Sequence, residues 1–208
     1  MTANNDDPFQ NQMFPATSMP DRDWWQALWP DPDSVIKILR IKRGMSIIDL
    51  GCGYGYFTAA IARKVEPGIV IGLDLDPGLV DQAKVYCEKM TNCIWRVGNA
   101  MKLSHLVQEP VDYVLIANTF HGVPDKSALA HEIAATLKPN GHLTIVNWYP
   151  IPREETIVLG KPRGPNTELR LSPEQTRELV EPSGFKLEAV VELPPYHYGA
   201  IFIRKEKE

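Results

Sequence analysis

The chain changes its hydrophobic rhythm from one segment to the next. "MSIIDL" (45–50) is a short run of β-branched and aliphatic residues that predicts a strand, and Tyr54 to Val65 carries apolar positions at helical spacing. Pro67-Gly68 marks a turn, "IVIGLDL" (69–75) a second strand, and Pro77 stands at the first turn of a helix, "PGLVDQAKVYCEKM". "CIWRVG" (93–98) predicts a short strand. "VDYVLIAN" (111–118) is apolar almost throughout, as strands buried on both faces are. "DKSALAHEIAATLKP" predicts a helix that stops before Pro139, and "GHLTIVNWY" the next strand. Strand and helix thus alternate repeatedly, which predicts an α/β fold built on a doubly wound, mostly parallel sheet.

The flanks follow other patterns. Residues 1–20 are rich in Asn, Asp, Pro and Met without periodicity and predict a flexible N-terminal arm. Residues 21–208 then form a single domain. Its first part, 21–44, crowds Trp24, Trp25 and Trp29 ahead of a helix with an apolar face of Val35, Ile36, Ile38 and Leu39. Asp33 or Ser34 caps that helix and Gly44 ends it, and the whole segment is a candidate lid. Residues 150–171, dense in Pro, Gly and charge, form a long variable loop of the kind that carries function. Ser172 caps a helix opened by Pro173. "FKLEAVVEL" and "YGAIFIRK", separated by Pro194-Pro195, predict a terminal hairpin.

Composition narrows the chemistry. A net charge of −4, with Lys and Arg scattered, offers no basic face for a nucleic-acid backbone. The 3 cysteines, Cys52, Cys87 and Cys93, are odd in number and form no CxxC pair, which predicts free thiols in a cytoplasmic protein. His105, His131 and His142 are too scattered for a metal site. No apolar run approaches the roughly 18 residues of a membrane span, and the N-terminus has no secretory-signal pattern.

The sharpest signal is "IIDLGCGYGYF" (47–57), a strand followed by glycines at 51, 53 and 55. The dinucleotide fingerprint is GxGxxG; here the pattern is GxGxG, with Tyr56 in place of the third glycine. Asp49 stands at the strand's C-terminal edge, where a carboxylate repels a pyrophosphate and suits a cationic group. The following helix offers free N–H groups to a carboxylate. Asp74 follows Gly55 by 19 residues, the spacing at which an acid accepts hydrogen bonds from ribose hydroxyls in this architecture. A ribose, an ammonium and a carboxylate describe an amino-acid nucleoside, S-adenosylmethionine above all. Cys52 and Tyr54, between the glycines, either touch the cofactor or simply fit the turn. Asp76 is read as the cap of the helix at Pro77, and Asp112 as structural.

The chain resembles the class I S-adenosylmethionine-dependent methyltransferases. "IIDLGCGYG", "GLDLDPGLVDQAK", "GNAMKL", "VDYVLIANTFHGV" and "LKPNGHLTIV" follow that family's motifs in order, over about residues 33–203. The resemblance implies a Rossmann-like seven-stranded sheet with an antiparallel C-terminal strand. It implies that Gly51, Gly53 and Gly55 let the backbone approach the methionine portion and that Asp49 orients the ammonium. Asp74 would bind the ribose, Leu75 would pack on the adenine, and Asn118 would offer its carbonyl to the ammonium. Asn99, beside Ala100, replaces the family's usual Asp at the adenine amino group and accepts through its amide oxygen.

The acceptor is sought beyond the C-terminal ends of the strands. His121 after the fourth strand and His197 near the hairpin turn are the candidate general bases. Trp25, Tyr149, Tyr196 and His197 are candidate acceptor contacts; for each of these residues simple packing is the alternative. "NTFHG" (118–122) lacks the Asn/Asp-Pro-Pro-Tyr of the enzymes that methylate nucleobase or glutamine amides, which favours a small-molecule acceptor over DNA, RNA or protein. Two other readings stay open: a non-catalytic S-adenosylmethionine-binding regulatory protein and, against the glycine spacing, a nicotinamide-dependent oxidoreductase.

Overall fold

The near-apolar run at 111–117 forms the central strand of the protein, seen here in a computed structural model that describes residue 14 and residues 17–206. In chain order the strands of the main sheet are β1 (Ile47–Leu50), β2 (Val70–Asp74), β3 (Cys93–Val97), β4 (Val111–Ala117), β5 (Leu137–Trp148), β8 (Phe185–Leu193) and β9 (His197–Arg204). They lie in the order β3-β2-β1-β4-β5-β9-β8. β1 pairs in parallel with β2 and β4, β2 with β3, and β4 with β5. β9 runs antiparallel between β5 and β8. This is the predicted seven-stranded, mostly parallel architecture. The strand order reverses between β1 and β4, which opens a crevice at their C-terminal ends.

Helices cover both faces. α1 (Arg22–Leu28), α2 (Pro32–Ile38) and α3 (Tyr56–Val65) pack on one side through Leu28, Ile36, Leu39, Ala60 and Ile61. α5 (Leu103–Leu106), α6 (Lys126–Thr136) and α7 (Pro173–Val180) pack on the other through Leu103, Leu129, Ile133 and Val180. α4 (Pro77–Tyr86) buries Val80 and Ala83. Ser172 and Gln175 close a capping box at α7, which satisfies orphan N–H groups at both residues.

Several boundaries differ from the sequence expectation. Asp31, rather than Asp33 or Ser34, caps α2, because Pro32 fills the first helical position and brings the Ser34 N–H under the Asp31 carboxylate at 3.1 Å. α3 begins at Tyr56 instead of Tyr54, since its cap, Gly55, is left-handed with φ 91°. The tryptophan-rich stretch contains a helix of its own, α1. The loop after β5 holds a small hairpin, β6 (Ile157–Val158) with β7 (Lys161–Pro162).

Arg170 organises that loop. Its guanidinium donates to the carbonyl oxygens of Ile151 (2.9 Å), Arg163 (3.1 Å) and Pro165 (3.1 Å) and to Thr156 Oγ1 (3.0 Å). It lies 4.9 Å from the centre of the Trp148 ring. Burial holds this guanidinium below its ordinary pKa, and the neighbouring Arg153 charge adds to the effect. Four acceptors and a π-face compensate the desolvated charge and give a long polar loop a fixed shape.

Trp29 ties the N-terminal helices to the sheet. It is 2% exposed, meets Phe57 at 5.4 Å and the His197 ring at 4.5 Å, and its carbonyl accepts the Tyr56 hydroxyl at 2.5 Å. Removing so large a buried ring leaves a cavity beneath α1 and behind the glycine loop. Trp29→Ala is expected to lower stability by about 3–5 kcal/mol in urea unfolding. A loss below about 1 kcal/mol would show that the packing does not hold the segment in place.

Candidate active site

The glycine turn and the ends of β1, β2 and β4 enclose one side of a cavity of about 500 Å³. Asp49, at the end of β1, is 2% exposed, and its Oδ2 accepts the Thr58 hydroxyl at 2.5 Å. Burial pushes the carboxyl up to about 6, against the pull of the Thr58 hydrogen bond, and the nearby Asp74 charge adds to the rise. A buried acid that resists ionisation is complementary to an incoming cation.

The turn itself is built for close approach. Gly51 has φ 76°, and a Cβ there would lie 2.8 Å from Thr119 Oγ1, so only glycine fits. The Gly53 N–H donates to Asp74 Oδ2 at 2.8 Å, and the Asp76 N–H donates to Asp74 Oδ1 at 3.0 Å. The Asp74 carboxylate therefore has a fixed orientation at the tip of β2 and spare lone pairs facing the cavity. Burial raises its pKa as well, against these hydrogen bonds. Asp76 caps α4, accepting from Gly78 N at 2.7 Å and Leu79 N at 3.3 Å. Asp112 lies at the other end of the strands, bonded to Ser46 and Lys138.

Asn118, directly after β4, has φ 58°, a left-handed conformation that Asn tolerates better than most residues. Both its amide atoms are buried without a hydrogen-bond partner among the described residues, and the residue lines the cavity. Asn99 lines it too, with Oδ1 accepting from Met101 N at 2.9 Å, as do Leu75 and Ala100. The cavity also takes in Cys52, whose thiol burial pushes well above its ordinary pKa, so it stays protonated.

These residues fit an adenosyl amino acid. Two carboxylates stand at adjacent strand tips, the turn between them carries no side chain at Gly51 or Gly53, and Asn118, whose buried amide has no partner among the described residues, lines the same space.

Other sequence candidates are placed differently. Tyr54 is not part of the cavity wall: its ring is buried edge-on to Tyr86 at 5.5 Å beneath the Arg22 guanidinium at 4.5 Å. Gly55 serves as the cap of α3 and does not line the cavity either. His121 lies on a 3-10 turn (Phe120–Gly122), is buried, and lines the cavity.

His197 does not. It sits opposite Trp148 in the β5–β9 register, and cross-strand partners share a face, so its ring turns inward between Trp148 (4.1 Å) and Trp29 (4.5 Å). It is 1% exposed, and burial, then the Arg170 and His121 charges, hold it well below its ordinary pKa. This corrects the expectation that His197 faces the acceptor.

Tyr196 is also outside the wall: it stacks on Trp148, and its hydroxyl accepts from Ile157 N (3.1 Å) and donates to Ile157 O (3.0 Å), pinning the β6 strand. Tyr149 donates to Glu192 at 2.6 Å and lies on the opposite face with Tyr198.

Of the four acceptor candidates only Trp25 lines the cavity. Trp24, Trp148, Thr119, Arg153 and Arg163 join it there. The arginines lay in plain view in "PREE" and "KPRGP", where prolines flank charge in a long loop. Thr17 to Pro20, within the stretch expected as a mobile arm, also line the cavity, and the Met19 sulfur covers Gly53. The remainder of 1–20, apart from Phe14, lies outside the described residues.

Comparison with known proteins agrees with this geometry. Residues 47–141 match the family profile of a methyltransferase domain. A demethylmenaquinone methyltransferase of Lactobacillus johnsonii is 33% identical over 143 residues, covering 67% of this chain and 56% of that protein. Another demethylmenaquinone methyltransferase, of Shouchella clausii, is 35% identical over 111 residues, 52% of this chain and 47% of that protein. The chain thus spans about half the length of these curated relatives. The crystal structure of an S-adenosylmethionine-dependent methyltransferase from Aquifex aeolicus superposes with a TM-score of 0.72 at 25% identity, covering 96% of this chain and 94% of that one. By its fold, and by the methyltransferase-domain sequence of residues 47–141, the chain belongs to the class I S-adenosylmethionine-dependent methyltransferase family.

The state of Asp49 sets a pH dependence. Its folded pKa lies above the unfolded value, so the folded ligand-free protein binds the proton more tightly, and stability is lost as pH rises from about 4 through 6. Asp49→Asn removes that loss. The variant is expected to gain on the order of 2–3 kcal/mol over wild type above pH 7 and little near pH 4, read by urea unfolding at both. A gain that does not grow with pH would contradict this.

Proposed function

We infer that the protein binds S-adenosylmethionine in this cavity and transfers its methyl group to a small-molecule acceptor. The observation that carries the reading is two acids at the tips of the neighbouring strands β1 and β2: buried Asp49, which accepts the Thr58 hydroxyl, and Asp74, which accepts the Gly53 N–H of the glycine turn. Asp74 would hold the ribose hydroxyls, Asn99 and Ala100 would meet the adenine beside Leu75, and Asp49 with Asn118 would orient the ammonium. When bound, the cofactor supplies an activated methyl on a sulfonium whose leaving thioether is neutral, so no acid is needed for departure.

The chain's own task is therefore alignment and exclusion of water. Trp24, Trp25 and Trp148 line the cavity with aromatic surface, Thr17–Pro20 line it too, and Met19 covers Gly53 of the glycine turn. His121, on the turn after β4, is the base we assign for removing a proton from a hydroxyl, thiol or amine nucleophile. A small acceptor is supported by the curated relatives, which are named for methylating demethylmenaquinone. The family match ends at residue 141, before the loop that shapes the acceptor side, so the relatives' own acceptor does not carry over with the cofactor site.

A panel of small acceptors, read by release of S-adenosylhomocysteine, tests the reaction; no release with any acceptor from a chain that binds the cofactor would favour a non-catalytic binding protein. Asp74→Ala is expected to weaken S-adenosylhomocysteine binding about tenfold or more, roughly 1.4 kcal/mol per decade. Calorimetry showing a change of less than about twofold would remove Asp74 from the ribose site. His121→Ala is expected to lower kcat by about 100-fold or more with cofactor affinity preserved. Unchanged turnover would remove it as the base.

A further inference from the structure

The cofactor side of the cavity is acidic; the side facing it from the 150–171 loop is not. Arg153 and Arg163 both line the cavity there. The Arg163 guanidinium rests 5.0 Å from the centre of the Trp24 ring, and its Nε is buried with no hydrogen-bond partner among the described residues. Neither arginine forms an ion pair with a carboxylate among those residues, although Glu154, Glu155 and Glu168 stand exposed on the same loop. Arg153 spends one donor, Nε, on the Gly164 carbonyl at 3.0 Å, which holds it next to Arg163. Arg170, bonded to three carbonyls and the Thr156 hydroxyl, lies behind them and adds a third positive charge.

A guanidinium carries five N–H donors and no acceptor, and a partly desolvated one with no protein acceptor is a fixed, unsatisfied demand for an anion. The aromatic seat on Trp24 holds its plane in place. Trp25, Trp148 and Pro165 add apolar surface on this side, and Asp21 and Asn166 line it as well.

We propose that Arg163, supported by Arg153, forms an anion-binding subsite at the acceptor end of the cavity, and that the methyl acceptor is a small molecule with a carboxylate on an aromatic or apolar body. This rests on the methyltransferase reading of the same cavity. The carboxylate would meet the guanidinium fork while the body lies against Trp25 and Trp148, which positions the nucleophilic atom toward His121 and the cofactor.

The test is calorimetry on wild type, Arg163→Gln and Arg163→Lys. S-adenosylhomocysteine is titrated first. With it saturating, three matched pairs follow: benzoate and benzamide, 4-hydroxybenzoate and 4-hydroxybenzamide, indole-3-acetate and indole-3-acetamide. The expected result is that acids of the panel bind wild type at least tenfold tighter than their amides. Arg163→Gln should lose that preference while keeping its affinity for S-adenosylhomocysteine and its melting temperature, and Arg163→Lys should fall between. Amides binding as well as acids, no acid binding, or an Arg163→Gln variant that still prefers acids would overturn the proposal. So would a parallel loss of S-adenosylhomocysteine affinity, which would assign Arg163 to the cofactor's own carboxylate. If Arg163→Gln fails to fold, the acid-to-amide ratio in wild type decides, and a ratio near one overturns the proposal. Failure of S-adenosylhomocysteine to bind wild type is a different result and removes the methyltransferase reading itself.

Discussion

The buried carboxylate of Asp49 is the constraint around which the site is arranged. It sits at the tip of a strand with hydrogen-bonded neighbours on both sides, out of water, with the Thr58 hydroxyl as its hydrogen-bond donor. Such a group is costly to ionise, and no cation among the described residues is paired with it. Asp74 adds a second acid, held in place by the Gly53 and Asp76 N–H groups. Two acids at neighbouring strand tips destabilise the ligand-free fold and become favourable only when a positive group arrives. The cost is carried by the surrounding packing: α3 is fixed by the Trp29–Phe57–Tyr56 contacts, and β4 is buried in the centre of the sheet.

The rest of the cavity distributes charge by segment. The cofactor half is built from the parallel strands and the turn, and it is acidic. The acceptor half comes from α1 and the 150–171 loop; it is aromatic, with two arginines on the loop and Asp21 at the start of α1. Arg170 makes the second half possible, because its four carbonyl and hydroxyl acceptors turn a proline-rich loop into a rigid wall on which Arg153 and Arg163 are displayed. The two halves meet near His121, at the crevice where the strand order reverses.

Much of this was legible in the sequence, for reasons that differ by residue. The alternation of strand and helix is a local pattern, so the sheet, its central strand and the Asp76 cap followed from it. The spacing of Asp49, the glycines and Asp74 is also local, since all lie within two strands and one helix. Side-chain direction in the C-terminal hairpin is a matter of register across strands far apart in the chain. Tyr149 was therefore placed at the correct edge of the sheet but on the opposite face, while His197 and Tyr196 share the face of Trp148 and are screened from the cavity by its ring. Arg153 and Arg163 carry no periodicity to mark them, and their role depends on Arg170 and Trp24, neither of which is adjacent in sequence. Thr17 to Pro20 mix polar and apolar residues without periodicity, and the tertiary contact of Met19 with the glycine turn gives them a place.

The central claim is that Asp49 waits protonated in part and ionises when the cofactor's ammonium arrives. It is tested most directly by titrating the wild-type chain with S-adenosylhomocysteine near pH 6 in buffers of different ionisation enthalpy. The buffer dependence of the heat counts protons exchanged on binding. The account predicts tight binding with net release of a fraction of a proton, shrinking as the pH is raised above 7. No binding, or binding at pH 6 with no proton released, would contradict it.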